Sequence, residues 1–325
     1  MVPTSENDKR FKVATEAMKT ASKRWIEENS AEPGDKDEFL STCVNAFAST
    51  LIIGEEIPLA LMSQISLFPQ QMIPLYPRLF SSYFFTLVPE YWGMLKAREH
   101  LHKRVKASPY WSKILSKATE LGLTPSDACD TLIPIVGFNA AGLKASFNTA
   151  IDLLPSMNFG EELVKDSNGL ESFAWETLRF NGPIAMMPAR DEPTIINTSA
   201  GATHAVKKGT QLSTFLEMAQ MDPLVWPEPH SFKADRFLKT KSTTTKENPL
   251  PTIAHAMPIG SLDDDNFYNN SHCCVMARLN NRVIEAFIKM LVDLPRYDLV
   301  DFKFDDESKT NMYARESAKT IAFRS

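Results

Sequence analysis

Glycine is scarce in this chain, 12 residues against 21 prolines, and that imbalance constrains the fold more than any other feature. Tight hairpins and left-handed backbone draw on glycine, so a chain this poor in it is not built from many short strands. Proline ends helices rather than filling them. The balance predicts a mainly α fold with a small β-sheet. It also argues against glycine-rich phosphate loops, and no Gly-Lys-Ser/Thr run occurs.

The charges, 35 Lys+Arg against 40 Asp+Glu, leave a net −5 and exclude binding to nucleic acid through bulk charge. A hydrophobic fraction of 43% supplies a large core over 325 residues. Four cysteines, Cys43, Cys129, Cys273 and Cys274, are too few and too unevenly spaced for a disulfide framework or a four-thiolate zinc site, which fits a reducing compartment. The histidines lack zinc-ligand spacing, and no Gly-x-Ser-x-Gly elbow is present. No window has the uncharged apolar length of a bilayer span, and the first residues lack both an apolar signal core and transit-peptide character. The expectation is an intracellular protein, soluble or peripherally membrane-associated, of unassigned compartment.

The first third, through about Ala118, reads as helices joined by polar loops, broken at Glu32-Pro33-Gly34-Asp35. Ile57 to Trp92 is strongly apolar: core helices, or an apolar substrate mouth or membrane-resting face. Thr124-Pro125-Ser126-Asp127 predicts a helix start, with a capping hydroxyl, a proline at the first position and an acid in the first turn. A long apolar helix follows toward Ile151, with Pro134 inside it and a kink expected just before Gly137-Phe138-Asn139. Ser167-Asn168-Gly169 reads as a turn before a helix through Glu171 to Phe180. Thr194–Asn197 and Gln211–Phe215 read as strands separated by a hairpin turn at Lys207-Lys208-Gly209. Leu279, Val283, Ala286, Met290 and Leu291 keep helical spacing up to Pro295.

Glu176 and Arg179 stand three apart on one helical face, an ion pair that alone marks nothing. The downstream residues are specific in their order: Lys208-Gly209-Thr210, Ala219-Gln220-Met221-Asp222-Pro223, Trp226-Pro227-Glu228-Pro229 and Phe232-Lys233-Ala234-Asp235-Arg236-Phe237. This series resembles the C-terminal half of the cytochrome P-450 superfamily, in which a Glu-x-x-Arg helix precedes a Lys-Gly turn, an Asp-Pro segment, Trp-x-x-Pro and Phe-x-x-x-Arg-Phe. The resemblance implies a haem-thiolate fold. Within it Glu176, Arg179 and Arg236 form a buried structural network behind the haem, and one cysteine before a helix ligates the iron. That cysteine is Cys273, with Cys274 the fallback, because a helix amino end favours the thiolate.

Asn270-Ser271-His272-Cys273 and Arg296-Tyr297-Asp298 look like the Asn-Lys-Gln-Cys and Arg-Tyr-Asp of the branch containing allene oxide synthases, hydroperoxide lyases, divinyl ether synthases and epoxyalcohol synthases. Gly137-Phe138-Asn139-Ala140-Ala141-Gly142-Leu143-Lys144 resembles that branch's Phe-Asn-x-x-Gly-Gly, with Leu143 in place of the second glycine. Oxygen-activating relatives carry Ala-Gly-x-acid-Thr there, and Lys144 and Ala145 occupy the acid and hydroxyl places. The resemblance gives Asn139 a catalytic role, its neutral amide hydrogen-bonding a hydroperoxide, and pairs Arg190 with a haem propionate. Val275 replaces the glycine usually two places after the cysteine, and Ser271 the usual lysine.

Against whole family members the chain reads as a single, partial domain over residues 1–325, truncated at its N-terminus and short of one helix between Asn139 and Glu176. The implied function is rearrangement or cleavage of fatty-acid hydroperoxides with haem as cofactor, a lipid hydroperoxide as partner and no reductase. The rivals are an NADPH-fed lipid monooxygenase and a haem-free remnant serving as a lipid-binding or interaction module.

Overall fold

The computed structural model describes residues 5–62, 89–180, 184–187, 194–197, 201–208, 210, 212–215, 220–224, 226–238, 277–300 and 319–324. They fall into two compact units: residues 1–167, 282–303 and 316–325 form the first, and residues 168–281 and 304–315 the second.

The first unit is helical. Helices α1 (Ser5–Glu28) and α2 (Lys36–Ile53) pack together, joined through the two-residue strand β1 (Gly34–Asp35) at the predicted break. Asp35 starts α2 by accepting the amides of Asp37 and Glu38 at 2.7 and 3.2 Å, which satisfies two of the first-turn donors that a helix leaves open. Gly54 ends α2 at φ 92°, its N–H on Thr50 O. Helices α3 (Pro89–Ala107), α4 (Trp111–Glu120) and α5 (Pro125–Leu153) follow. One apolar cluster gathers Ala48 and Ile53 of α2, Ala97, Leu101 and Val105 of α3 and Cys129 of α5 around Ile57 and Met62. The start of the apolar stretch Ile57–Trp92 is therefore core, and its residues 63–88 lie outside the described residues.

Helix α5 begins as the sequence predicts. The Thr124 hydroxyl accepts from the Asp127 amide at 3.2 Å, and the Asp127 carboxylate accepts from the Thr124 amide at 2.9 Å, a complete capping box. The Thr124 hydroxyl also donates to the Asp127 carboxylate at 2.6 Å, and this bond, with that from the Thr124 amide, holds the Asp127 carboxyl below its ordinary value. Replacing Thr124 by alanine is expected to cost about 1 kcal/mol in urea unfolding, with Thr124→Ser losing little. The helix runs unbroken through Pro134 to Leu153, so the expected kink does not interrupt it.

The C-terminal helix α7 (Ala277–Asp293) buries Val283, Ile284, Phe287, Ile288, Met290 and Leu291, close to the predicted apolar face. Phe287 stacks on Phe147 of α5, ring centres 3.7 Å apart. Beyond it β6 (Tyr297–Val300) pairs antiparallel with β7 (Thr320–Phe323), and β1 pairs with the other edge of β7, in the order β1-β7-β6.

The second unit holds helix α6 (Ser167–Phe180) and two antiparallel ribbons. Ser167-Asn168-Gly169 is the first turn of α6 rather than a turn before it. From Ser172 to Phe180 every residue is buried, so this helix packs on all sides. The predicted pairing of strands needs correction. Thr194–Asn197 (β3) pairs with Thr203–Val206 (β4), and Leu212–Phe215 (β5) pairs with Ile184–Met187 (β2). The turn at Lys207 exists, with Thr210 N–H on Lys207 O at 3.1 Å, but it connects β4 to β5, which pair with different partners.

Candidate functional site

The Glu176–Arg179–Arg236 constellation is assembled in full. Arg179 presents its fork to the carboxylate one helical turn back: Nε donates to Glu176 Oε2 at 2.7 Å and Nη2 to Oε1 at 2.9 Å. Both side chains are completely buried. Arg236 Nε reaches both Glu176 oxygens at 3.0 Å, and the Lys233 amide adds a further bond to Oε1 at 3.0 Å. Two guanidinium charges thus share one carboxylate. The excess positive charge is spread over backbone carbonyls: Arg179 Nη1 donates to Gln220 O at 2.8 Å, and Arg236 donates to Pro227 O, Glu228 O and Ser231 O at 2.7, 3.1 and 2.9 Å. Aromatic faces complete the enclosure, with the Arg179 guanidinium 4.4 Å from the Phe180 ring and 5.4 Å from that of Trp226. These bonds tie Gln220, Lys233 and Arg236 to α6.

Trp175, immediately before Glu176, is 4% exposed, and its indole N–H has no hydrogen-bond partner among the described residues. A buried donor without an acceptor is costly.

On α5, Asn139 precedes Ser146 by seven residues and Ala150 by eleven, about two and three helical turns, so these positions share one angular register. Ser146 and Ala150 are fully buried. Position 139 lies within α5, and its side chain is outside the described residues. Lys144 and Ala145 stand elsewhere on the helix: the Lys144 ammonium lies 2.6 Å from Asp37 at the start of α2, and Ala145 is exposed. Cys273, Cys274 and Arg190 lie outside the described residues. Cys43 and Cys129 are free, buried thiols, and desolvation raises both above the ordinary thiol value. Among the described residues no cluster of His, Cys, Asp or Glu has metal-holding geometry, and no helix is long and apolar enough to cross a membrane.

One buried charge pair has no signature in the sequence. Lys36 Nζ sits 2.8 Å from Asp152 Oδ1, both side chains 3% exposed. A lysine in the first turn of a helix reads as solvated surface, and its partner is 116 residues away, so no local pattern links them.

Residues 162–252 match the family model described as Cytochrome P450. The chain is 29% identical over 154 residues to a chloroplastic fatty acid hydroperoxide lyase of Solanum lycopersicum, an alignment covering 40% of this chain and 32% of that one. It is 27% identical over 146 residues to allene oxide synthase 3 of the same plant, covering 38% and 30%. The aligned part thus spans about a third of these relatives' length. Among solved structures, a variant of cytochrome P450 OleT in complex with arachidonic acid superposes with a TM-score of 0.63 at 12% identity, covering 98% of this chain and 73% of that one. P450BioI bound to a hexadec-9Z-enoic acid ligated acyl carrier protein gives 0.61 at 15% identity, covering 95% and 74%. The buried Glu-x-x-Arg network, the helical fold and the matched sequences converge: the chain has a cytochrome P450-like fold, and its sequence is similar to hydroperoxide lyases and allene oxide synthases of that superfamily.

Proposed function

We propose that this protein is a haem-thiolate enzyme acting on fatty-acid hydroperoxides, with Cys273 as the iron ligand, Cys274 the fallback, and Arg190 pairing with a propionate. Haem bound there supplies cleavage of the substrate's O–O bond, so the hydroperoxide is its own oxidant and no reductase is required. Asn139 contributes a neutral amide that both donates to and accepts from the peroxide oxygens and fixes which of them is presented. The products, an allene oxide, an aldehyde pair, a divinyl ether or an epoxyalcohol, share this first step.

The observation that carries the reading is on α5. At the two positions where an oxygen-activating relative places an acid and a hydroxyl, this chain has an ammonium committed to Asp37 at 2.6 Å and an exposed alanine. Neither delivers protons to bound dioxygen, which disfavours the NADPH-fed monooxygenase. The relatives matched by sequence, a fatty acid hydroperoxide lyase and an allene oxide synthase, support the same choice.

The test is to express the chain, supply haemin and record the ferrous–CO spectrum of the parent, Cys273→Ala and Cys274→Ala. A thiolate-type band lost only in Cys273→Ala supports the ligand assignment, and its loss only in Cys274→Ala moves the ligand by one residue. Turnover of a fatty-acid hydroperoxide without reductase, abolished by Asn139→Leu with the CO band retained, supports the amide's role. Failure to take up haemin overturns the enzyme reading and favours the haem-free lipid-binding or interaction module.

A further inference from the structure

A strained turn follows the end of α5. Asn158 and Phe159 lie at φ 49° and 55°, followed by Gly160 at 79°, so three successive residues are left-handed. Asparagine and glycine tolerate this region, whereas for a bulky phenylalanine it is a strained outlier. Gly160 has no room to change, since a Cβ there would meet Leu154 Cδ2 at 2.8 Å. Upstream, Pro155 has no N–H, so the Ile151 carbonyl loses the donor that a continuing helix would offer it.

Two consecutive residues before and at the start of β6 answer both defects. The Tyr297 hydroxyl donates to Ile151 O at 2.8 Å, replacing the N–H that Pro155 lacks. Burial, then the charge of Asp152, raises the Tyr297 phenol well above its ordinary value, so the hydroxyl stays a donor at physiological pH. Tyr297 also meets the Phe159 ring edge-on at 5.2 Å. Arg296 covers the other side: its guanidinium lies 4.8 Å from the Phe159 ring, donates to Asn158 Oδ1 at 3.4 and 3.5 Å, and pairs with Glu161.

We infer that Arg296 and Tyr297 form a strap holding a strained turn closed, and that residues 157–160 are where the turn after α5 opens when the strap is cut. The Arg-Tyr-Asp triplet thereby divides its work, since Asp298 faces away and pairs with Arg324 beyond the neighbouring strand at 2.8 Å.

Amide hydrogen exchange on the intact chain tests this. Arg296→Gln and Tyr297→Phe are each expected to speed exchange over residues 154–165 about tenfold while α2 changes less than about twofold. Unchanged exchange over the turn in both single variants, or a uniform rise in every segment, overturns the inference.

Discussion

Replacing Glu176 by glutamine is expected to lower the unfolding free energy by about 3–5 kcal/mol, a large fraction of the stability of an ordinary domain. The side chain keeps its shape, so the loss is electrostatic. Glu176 faces both Arg179 and Arg236, whose side chains are 0% and 9% exposed, and glutamine removes the negative charge that the two guanidiniums share. Arg179→Ala is expected in the same range by another route. The carboxylate retains Arg236 and the Lys233 amide, but Gln220 O loses the Arg179 donor and a cavity opens between Phe180 and Trp226. Arg179→Lys restores the charge without the fork that spans both oxygens, so it is expected to remain well below the parent. Urea unfolding followed by tryptophan emission reads this directly, since Trp226 is 2% exposed beside Arg179. A loss below about 1 kcal/mol for Glu176→Gln would show that the network is dispensable.

The same network marks the boundary of what a sequence discloses. The i, i+3 spacing places Glu176 and Arg179 on one helical face, but the same spacing occurs in solvated pairs such as Lys117–Glu120. Only the ordered motifs downstream raise it above that background. The carbonyls of Gln220, Pro227, Glu228 and Ser231, which disperse the second positive charge, leave no trace in side-chain identity because backbone acceptors are the same at every residue. The start of α5 is legible because capping chemistry is local: Thr124 and Asp127 are three residues apart. Strand pairing in the second unit is not. Four-residue strands carry too little alternation to choose between partners, and the natural assumption that successive strands pair fails where β5 reaches back to β2. The strap on α5 is invisible for a further reason. Pro155 reads as a simple helix stop, and the hydroxyl that repairs it comes from Tyr297, 146 positions beyond Ile151.

The buried Lys36–Asp152 pair yields the other large effect. Lys36 is anchored at the start of α2, where its own amide donates to Lys319 O at 3.0 Å, and Asp152 lies in the last turn of α5. At 3% exposure each charge has given up its hydration, and a contact of 2.8 Å offsets part of that cost while both are present. Lys36→Met is therefore expected to cost about 3–5 kcal/mol, and Asp152→Leu a similar amount. The double variant Lys36→Met/Asp152→Leu is expected to lie within about 1–2 kcal/mol of the parent, because two apolar side chains need no hydration and fill similar volume. The sign of the coupling decides the matter. Independent contributions would make the double variant as poor as the sum of the singles, whereas a desolvated pair makes it better than either. The second substitution also removes the Asp152 charge that helps keep the Tyr297 phenol neutral, but burial is the larger cause and persists. The Tyr297 bond to Ile151 is thus expected to survive in the double variant, so exchange at the turn should match the parent while the pair itself is gone. Rapid exchange there in the stable double variant would tie the strap to the charge pair and sink their independence.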